Sequence, residues 1–179
     1  MIAHITTYTH RRVNLFEMKT DDICIEDIAH HLACINRFNG ALKIPVNVAH
    51  HSICVADLVK HTVHELQALL HDAGEAYCGD VTKWLKHSPQ MAQYREFEER
   101  VQRLVYKKFG CALDTHPTVL KADQLMVRFE ADQSGILIPH PDYGPPTMGE
   151  RCRIGQWVPQ NWRNSERAFL KRFHALHRT

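Results

Sequence analysis

No apolar run in the chain approaches the length of a membrane-spanning helix, so a membrane is not expected as a partner. The opening MIAHITTYTHRRVNLF lacks the apolar core of a secretory signal. The six cysteines (Cys24, Cys34, Cys54, Cys78, Cys111, Cys152) form no C-x-x-C pair, and a disulfide framework would normally accompany such a signal. A cytoplasmic chain with reduced thiols is therefore expected. Charge of one sign is also lacking: the formal net charge of +2 is too small for a nucleic-acid footprint, so nucleic acid is not an expected partner. Internal repeats, low-complexity tracts and a glycine-rich phosphate loop of the P-loop kind are all missing.

What is present is ordinary in bulk. The 179 residues, 44% hydrophobic and 23% charged, suit one globular core, so a single domain over 1–179 is expected. IAHITTY and RVNLFEM, within residues 1–20, read as two short strands able to pair in a hairpin. Beyond them the apolar residues step by three or four. Ile28, Leu32, Ile35 and Phe38 mark a first helix stopped by Asn39-Gly40. Asn47 is placed to cap a second, which carries Val48, Val55, Leu58 and Val59. A third spans about residues 64–77, and a fourth runs from Tyr94 to Phe109 before Gly110. Pro117 suits the first turn of a fifth, extending to about Gln133. Residues 135–160 hold five prolines and four glycines and read as an irregular excursion. A last helix covers residues 164–177, beginning at Asn164 or Ser165. The expected class is all-α.

The stretch LLHDAGEAYCGD, residues 69–80, concentrates metal-capable groups at the end of the third helix. At ~100° per residue, His71, Asp72 and Glu75 share one side while Leu66, Leu70, Ala73 and Tyr77 share the other. On this helix alone, the polar side is equally well a solvated face. Two further placements are harder to dismiss. His51 shares a face with Val55, Leu58 and Val59 and should point inward, whereas His50 points closer to Asp57 and reads as solvated. Asp123 lies in line with Leu120, Met126 and Val127, and a carboxylate on an apolar stripe is costly unless paired or coordinated. One shared metal explains three such placements more economically than three accidents.

The ordered set VAHHS, LLHDAGEAYCGD and LKADQL resembles the HD-domain phosphohydrolase superfamily, in which a His is followed by a His-Asp doublet and a distant Asp. It is most similar to the small nucleotide-hydrolysing branch that includes deoxynucleoside 5′-monophosphatases and phage deoxyadenosine triphosphatases. The resemblance implies an HD-domain helical bundle in which His51, His71, Asp72 and Asp123 hold one divalent ion per chain. Cobalt, manganese, zinc, iron, nickel and magnesium all remain open, because availability often decides. No cysteine is among these ligands, which separates the site from structural zinc.

The same resemblance makes Glu75 and Asp80 the catalytic acids, one handling the attacking water and the other the leaving oxygen. Capping of the helix begun by VTKWLK is the alternative role for Asp80. Arg37 and Phe38 match an arginine–aromatic pair lining the substrate pocket, although relatives carry tryptophan where Phe38 stands. A core aromatic at a helix end is the plainer reading of Phe38. Lys83 and Lys86 could attract phosphate or could be ordinary surface lysines. Together these residues imply a phosphohydrolase attacking the α-phosphorus of a nucleotide, with a deoxynucleotide expected, and a homo-oligomeric assembly. A phosphodiesterase for cyclic or signalling nucleotides, and a nucleotide-binding regulatory module without activity, are the alternatives.

Overall fold

The computed structural model describes residues 3–136 and 144–177. Among them the architecture is helical, with one small hairpin at the N-terminal end. Strand β1 (His4–Thr6) runs antiparallel to β2 (Arg12–Asn14), with Ile5 opposite Val13. Val13 reaches the core, and the turn is tied to the bundle where buried Asp27 accepts hydrogen bonds from the Thr9 amide and hydroxyl.

Helix α1 (Ile25–Cys34) buries Ile28, Ala29 and Leu32 at helical spacing. It stops short of the expected end at Phe38, which lies instead in a separate tight turn, Arg37–Gly40. Phe38 and Asn39 there adopt φ of 53° and 50°. Asn tolerates the left-handed region, but a bulky residue such as Phe is strained in it, and strain of this kind tends to collect at functional sites.

Helix α2 (Val48–Leu58) begins where expected, with Asn47 Oδ1 accepting from the His50 amide at 2.9 Å. It is the hub of the bundle, packed against α1 and, further along the chain, α3 (Glu65–Leu69), α7 (Pro117–Gln133) and α9 (Trp162–Leu176). A residue buried on α2 is thus shielded from several directions, as His51, Ser52, Val55 and Ala56 are.

The continuous third helix expected over 64–77 is interrupted. α3 gives way at residues 70–74 to tighter turns, with Ala73 N bonding Leu70 O and Glu75 N bonding Asp72 O, before α4 (Glu75–Cys78). The cause lies on α6 (Ala92–Lys108), which follows the short α5 (Lys83–Lys86). Gln102 of α6 donates to Leu70 O at 2.8 Å and accepts from the Gly74 amide at 2.7 Å. A Cβ at Gly74 would lie only 3.0 Å from the same Gln102 oxygen, so glycine permits this approach. The interrupted turn carries His71 and Asp72.

α6 and α7 otherwise match the sequence expectation closely, α7 starting at Pro117 and ending at Gln133. The 135–160 segment differs from the irregular excursion expected of it, because it contains helix α8 (Met148–Ile154). A capping box between Thr147 and Glu150 starts that helix, and an Arg151–Asp132 ion pair at 2.7 Å holds it to α7. Part of the excursion, residues 137–143, lies outside the described residues. α9 begins earlier than Asn164, because Asn161 serves as its cap. No helix among the described residues is long and apolar enough to cross a membrane.

Asn47 also donates its side-chain amide to Gln160 O at 3.0 Å, so it ties the start of α2 to the approach to α9. Asn47→Ala removes a cap and a buried tether together. The variant should lose about 1–2 kcal/mol, to be read from the midpoint of a urea melt. A change below about 0.3 kcal/mol would show that neither bond matters.

Candidate metal centre and adjoining cleft

Two helices and the interrupted turn bring the expected ligands together. His51, on α2, has no solvent exposure. Its Nε2 lies 3.1 Å from Asp123 Oδ1, on α7, and 3.9 Å from Asp72 Oδ2. His71 Nε2 lies 3.2 Å from Asp72 Oδ2 and 3.7 Å from Asp123 Oδ1. Ligand atoms of His51, His71 and Asp72 all fall within 4.8 Å of one another, which makes them a group able to hold a metal ion.

Hydrogen bonding on the far side of each imidazole supports that reading. His71 Nδ1 donates to Ala68 O at 2.8 Å, and His51 Nδ1 to Glu130 Oε1 at 2.9 Å. Each ring therefore presents Nε2 to the carboxylates, with its other nitrogen anchored, as metal-binding histidines are commonly held. His71 Nε2 is buried and makes no hydrogen bond despite its neighbours. Two ring nitrogens and two carboxylates converge here, and because each imidazole's Nδ1 hydrogen is engaged elsewhere, the 3.1 Å hydrogen bond between His51 Nε2 and Asp123 Oδ1 needs an added proton. Only a proton or a cation can sit there without repulsion.

The electrostatics say the same. Burial opposes charge on His71, but Asp72 and Asp123 outweigh it and lift the imidazole well above its ordinary pKa. His51 is raised as well: burial and Arg37 oppose its charge, and Glu130 and Asp123 prevail. Burial would raise Asp72 and Asp123, yet the two histidines hold both carboxyls below the usual range. A divalent ion would take over the role of those protons.

Glu130 is a site residue that the sequence reading missed. It is fully buried on α7, accepting from Arg37 Nε at 2.9 Å with one oxygen and from His51 with the other. Arg37 also reaches Asp72, Nη1 to Oδ2 at 3.5 Å. A signal was available: Glu130 stands seven residues after Asp123, on the same helix face.

The remaining expected residues border one cleft of about 380 Å³, lined by Arg37, Phe38, Asp72, Glu75, Asp80, Lys83, Lys86 and Asp123, with apolar neighbours. Phe38 is half-buried in its strained turn on that cleft rather than being a core aromatic. Glu75 is buried, and its Oε2 has no hydrogen-bond partner. Burial, with Asp72 and Asp80 adding repulsion, pushes its carboxyl well above the usual range against the pull of Lys86. Asp80 is raised chiefly by burial. It does not cap α5, whose preceding residue is Thr82. Lys86 is not a surface lysine either: its Nζ lies 2.6 Å from Glu98 and 3.6 Å from Glu75. Lys83 is exposed on the rim.

His50 departs from expectation in the opposite sense. It is buried against Trp157, with ring centroids 6.0 Å apart, rather than solvated beside Asp57. Leu120, expected on the apolar stripe with Asp123, is about half exposed.

No family model matches the sequence. Over 135 residues the chain is 32% identical to the uncharacterised protein YfdR of Escherichia coli K12, covering 75% of this chain and 74% of YfdR. The chain belongs to the same family as YfdR. An uncharacterised protein of Rhodobacter capsulatus is 35% identical over 136 residues, covering 69% of this chain and 68% of its own length.

Within this YfdR-like chain, Glu130 and Asp72 should affect metal binding to different degrees. Asp72→Asn should abolish stoichiometric uptake of a divalent ion, measured by elemental analysis after dialysis. Glu130→Gln should weaken affinity roughly 10- to 100-fold, the usual scale for losing the partner of a ligand histidine. Unchanged affinity in Glu130→Gln would show that His51 needs no anchoring.

Proposed function

We propose that the chain is an HD-domain phosphohydrolase that attacks the α-phosphorus of a nucleotide, with a deoxynucleotide as the expected substrate. The observation that carries the reading is the buried, hydrogen-bond-free Nε2 of His71, facing Asp72 and Asp123 beside a cleft that also holds Arg37 and Glu75. His51, His71, Asp72 and Asp123 would hold one divalent ion per chain, and the donor set of two imidazoles and two carboxylates fits a transition ion or magnesium. Such an ion, when bound, lowers the pKa of water and offsets phosphate charge.

The chain's own residues supply the rest. Arg37 is held through Nε by Glu130 and reaches Asp72 through Nη1, and it lines the cleft where a planar guanidinium can meet phosphate oxygens. Glu75 Oε2 is the proton-handling group: it is buried, unpartnered, and favours its protonated form. Asp80 borders the same cleft and serves as the second carboxylate. Lys86, clamped between Glu98 and Glu75, places a positive charge beside Glu75 rather than swinging out to bind phosphate.

The wider distribution of cations favours one phosphate over three. The groove on the other side of Asp72 and Glu75 holds Arg95 and Arg103. Arg95 donates to Lys86 O and Ser88 O, while Arg103 pairs with Asp114 and Glu99. These arginines are engaged within the fold, so the groove offers a polyphosphate tail little uncompensated positive charge. A homo-oligomeric assembly in the cytoplasm belongs to the same reading.

The test is a screen of the metal-loaded protein against mono- and triphosphates of all nucleosides, with products separated by chromatography. Release of inorganic phosphate from a deoxynucleoside monophosphate, or of intact triphosphate from a triphosphate, is expected. Accumulation of the diphosphate would overturn attack at the α-phosphorus. Glu75→Ala should keep its metal and lose ~10²–10⁴-fold in turnover. Near-normal turnover with metal retained would remove Glu75 from the chemistry.

A further inference from the structure

The charged groups account for only part of the cleft. Phe38, Val81, Trp84, Val127 and Ile136 form an apolar portion of its lining, contributed by the Arg37–Gly40 turn, the segment around α5, and α7 with the residues after it. Trp84 is 46% exposed in this position, and its neighbour Leu85 is 54% exposed. A large aromatic left half in water forfeits much of the free energy that burying it would bring. Small-molecule sites commonly combine a few polar groups that fix orientation with apolar and aromatic walls that bury the rest of the ligand. Here the orienting groups are Arg37 and the carboxylates, and the exposed ring lies on the same cleft.

We propose that Trp84 is a specificity-determining residue that stacks on the base of the nucleotide whose phosphate lies at Arg37. The proposal rests on the nucleotide reading above and adds to it the side chain that distinguishes a nucleotide from a bare sugar phosphate. Base–aromatic stacking needs a π-surface beside room for the base, and Trp84 lies partly exposed on the wall of a cleft of about 380 Å³. Phe38 contributes a second aromatic surface on the same lining, fixed by its left-handed backbone.

Two measurements on the full chain test this. In the first, a deoxynucleoside without phosphate is titrated while tryptophan fluorescence is followed in the wild type and in Trp84→Phe. Trp157 and Trp162 remain as internal references. Saturable quenching in the wild type that disappears in Trp84→Phe is expected. Equal quenching in both, or none in either, overturns the proposal. This arm needs no turnover, so its outcome is separate from that of the phosphohydrolase reading.

In the second, KM and kcat are compared for a deoxynucleoside monophosphate and for 2-deoxyribose 5-phosphate. Trp84→Ala should raise KM for the nucleotide roughly 5- to 150-fold, the scale of losing one stacked base, with KM for the sugar phosphate unchanged. Trp84→Phe should restore most of the loss. An equal rise for both substrates would mark Trp84 as structural. A change in sedimentation without a change in nucleoside response would assign the ring to a protein contact. Either result overturns the proposal. Failure of the wild type to hydrolyse either ester would instead refute the reading on which it rests, leaving the fluorescence arm to decide the stack.

Discussion

Glu130 carries a negative charge that never meets water, which is tolerable only because Arg37 and His51 each donate a hydrogen bond to it at 2.9 Å. Burial alone would push its carboxyl up, but Arg37 and then His51 bring it below the ordinary range. The cost of burying an isolated carboxylate is several kcal/mol, so breaking either contact would be felt throughout the centre. One carboxylate thus fixes two other residues. It sets which nitrogen of His51 faces Asp123, and it orients the guanidinium of Arg37 beside Asp72. The metal-capable cluster and the Arg37 side chain are parts of one hydrogen-bonded network, joined through the fully buried Glu130.

The bundle is arranged to protect that network. α2 packs against α1, α3, α7, α8 and α9, so His51 projects from a well-shielded element. Asp72 and Asp123 keep some exposure, 21% and 29% at the side chain, and open the cluster to the cleft. The gradient from buried imidazole to partly open carboxylate leaves anchored ring nitrogens behind and access in front. Gln102 maintains it from a distance by bracing both ends of the turn that carries His71 and Asp72.

Features governed by neighbouring residues were legible in the sequence. Asn47 as a cap, Pro117 as a helix start and the inward direction of His51 each follow from a few adjacent positions, and the helical class with its N-terminal hairpin follows from their sum. The features that were not legible depend on contacts across the chain. The interruption at 70–74 needs Gln102, far along on α6, and the burial of His50 needs Trp157 beyond α8. Phe38 takes a left-handed backbone that no local propensity favours. Glu130 is the exception. The reasoning that singles out Asp123 on an apolar stripe applies equally seven residues later, where Glu130 follows Met126 and Val127 at spacings of four and three.

The central claim is that two imidazoles and two carboxylates meet around a position that favours positive charge and is able to accept a divalent ion. Calorimetric titration of manganese into chelator-treated protein, repeated in buffers of different ionisation enthalpy, measures this directly, because metal binding to such a site must displace protons. The account predicts about one ion per chain, with net proton release near neutral pH set by the raised pKa values of His51 and His71. Binding with no proton release, or no saturable binding at all, would contradict it.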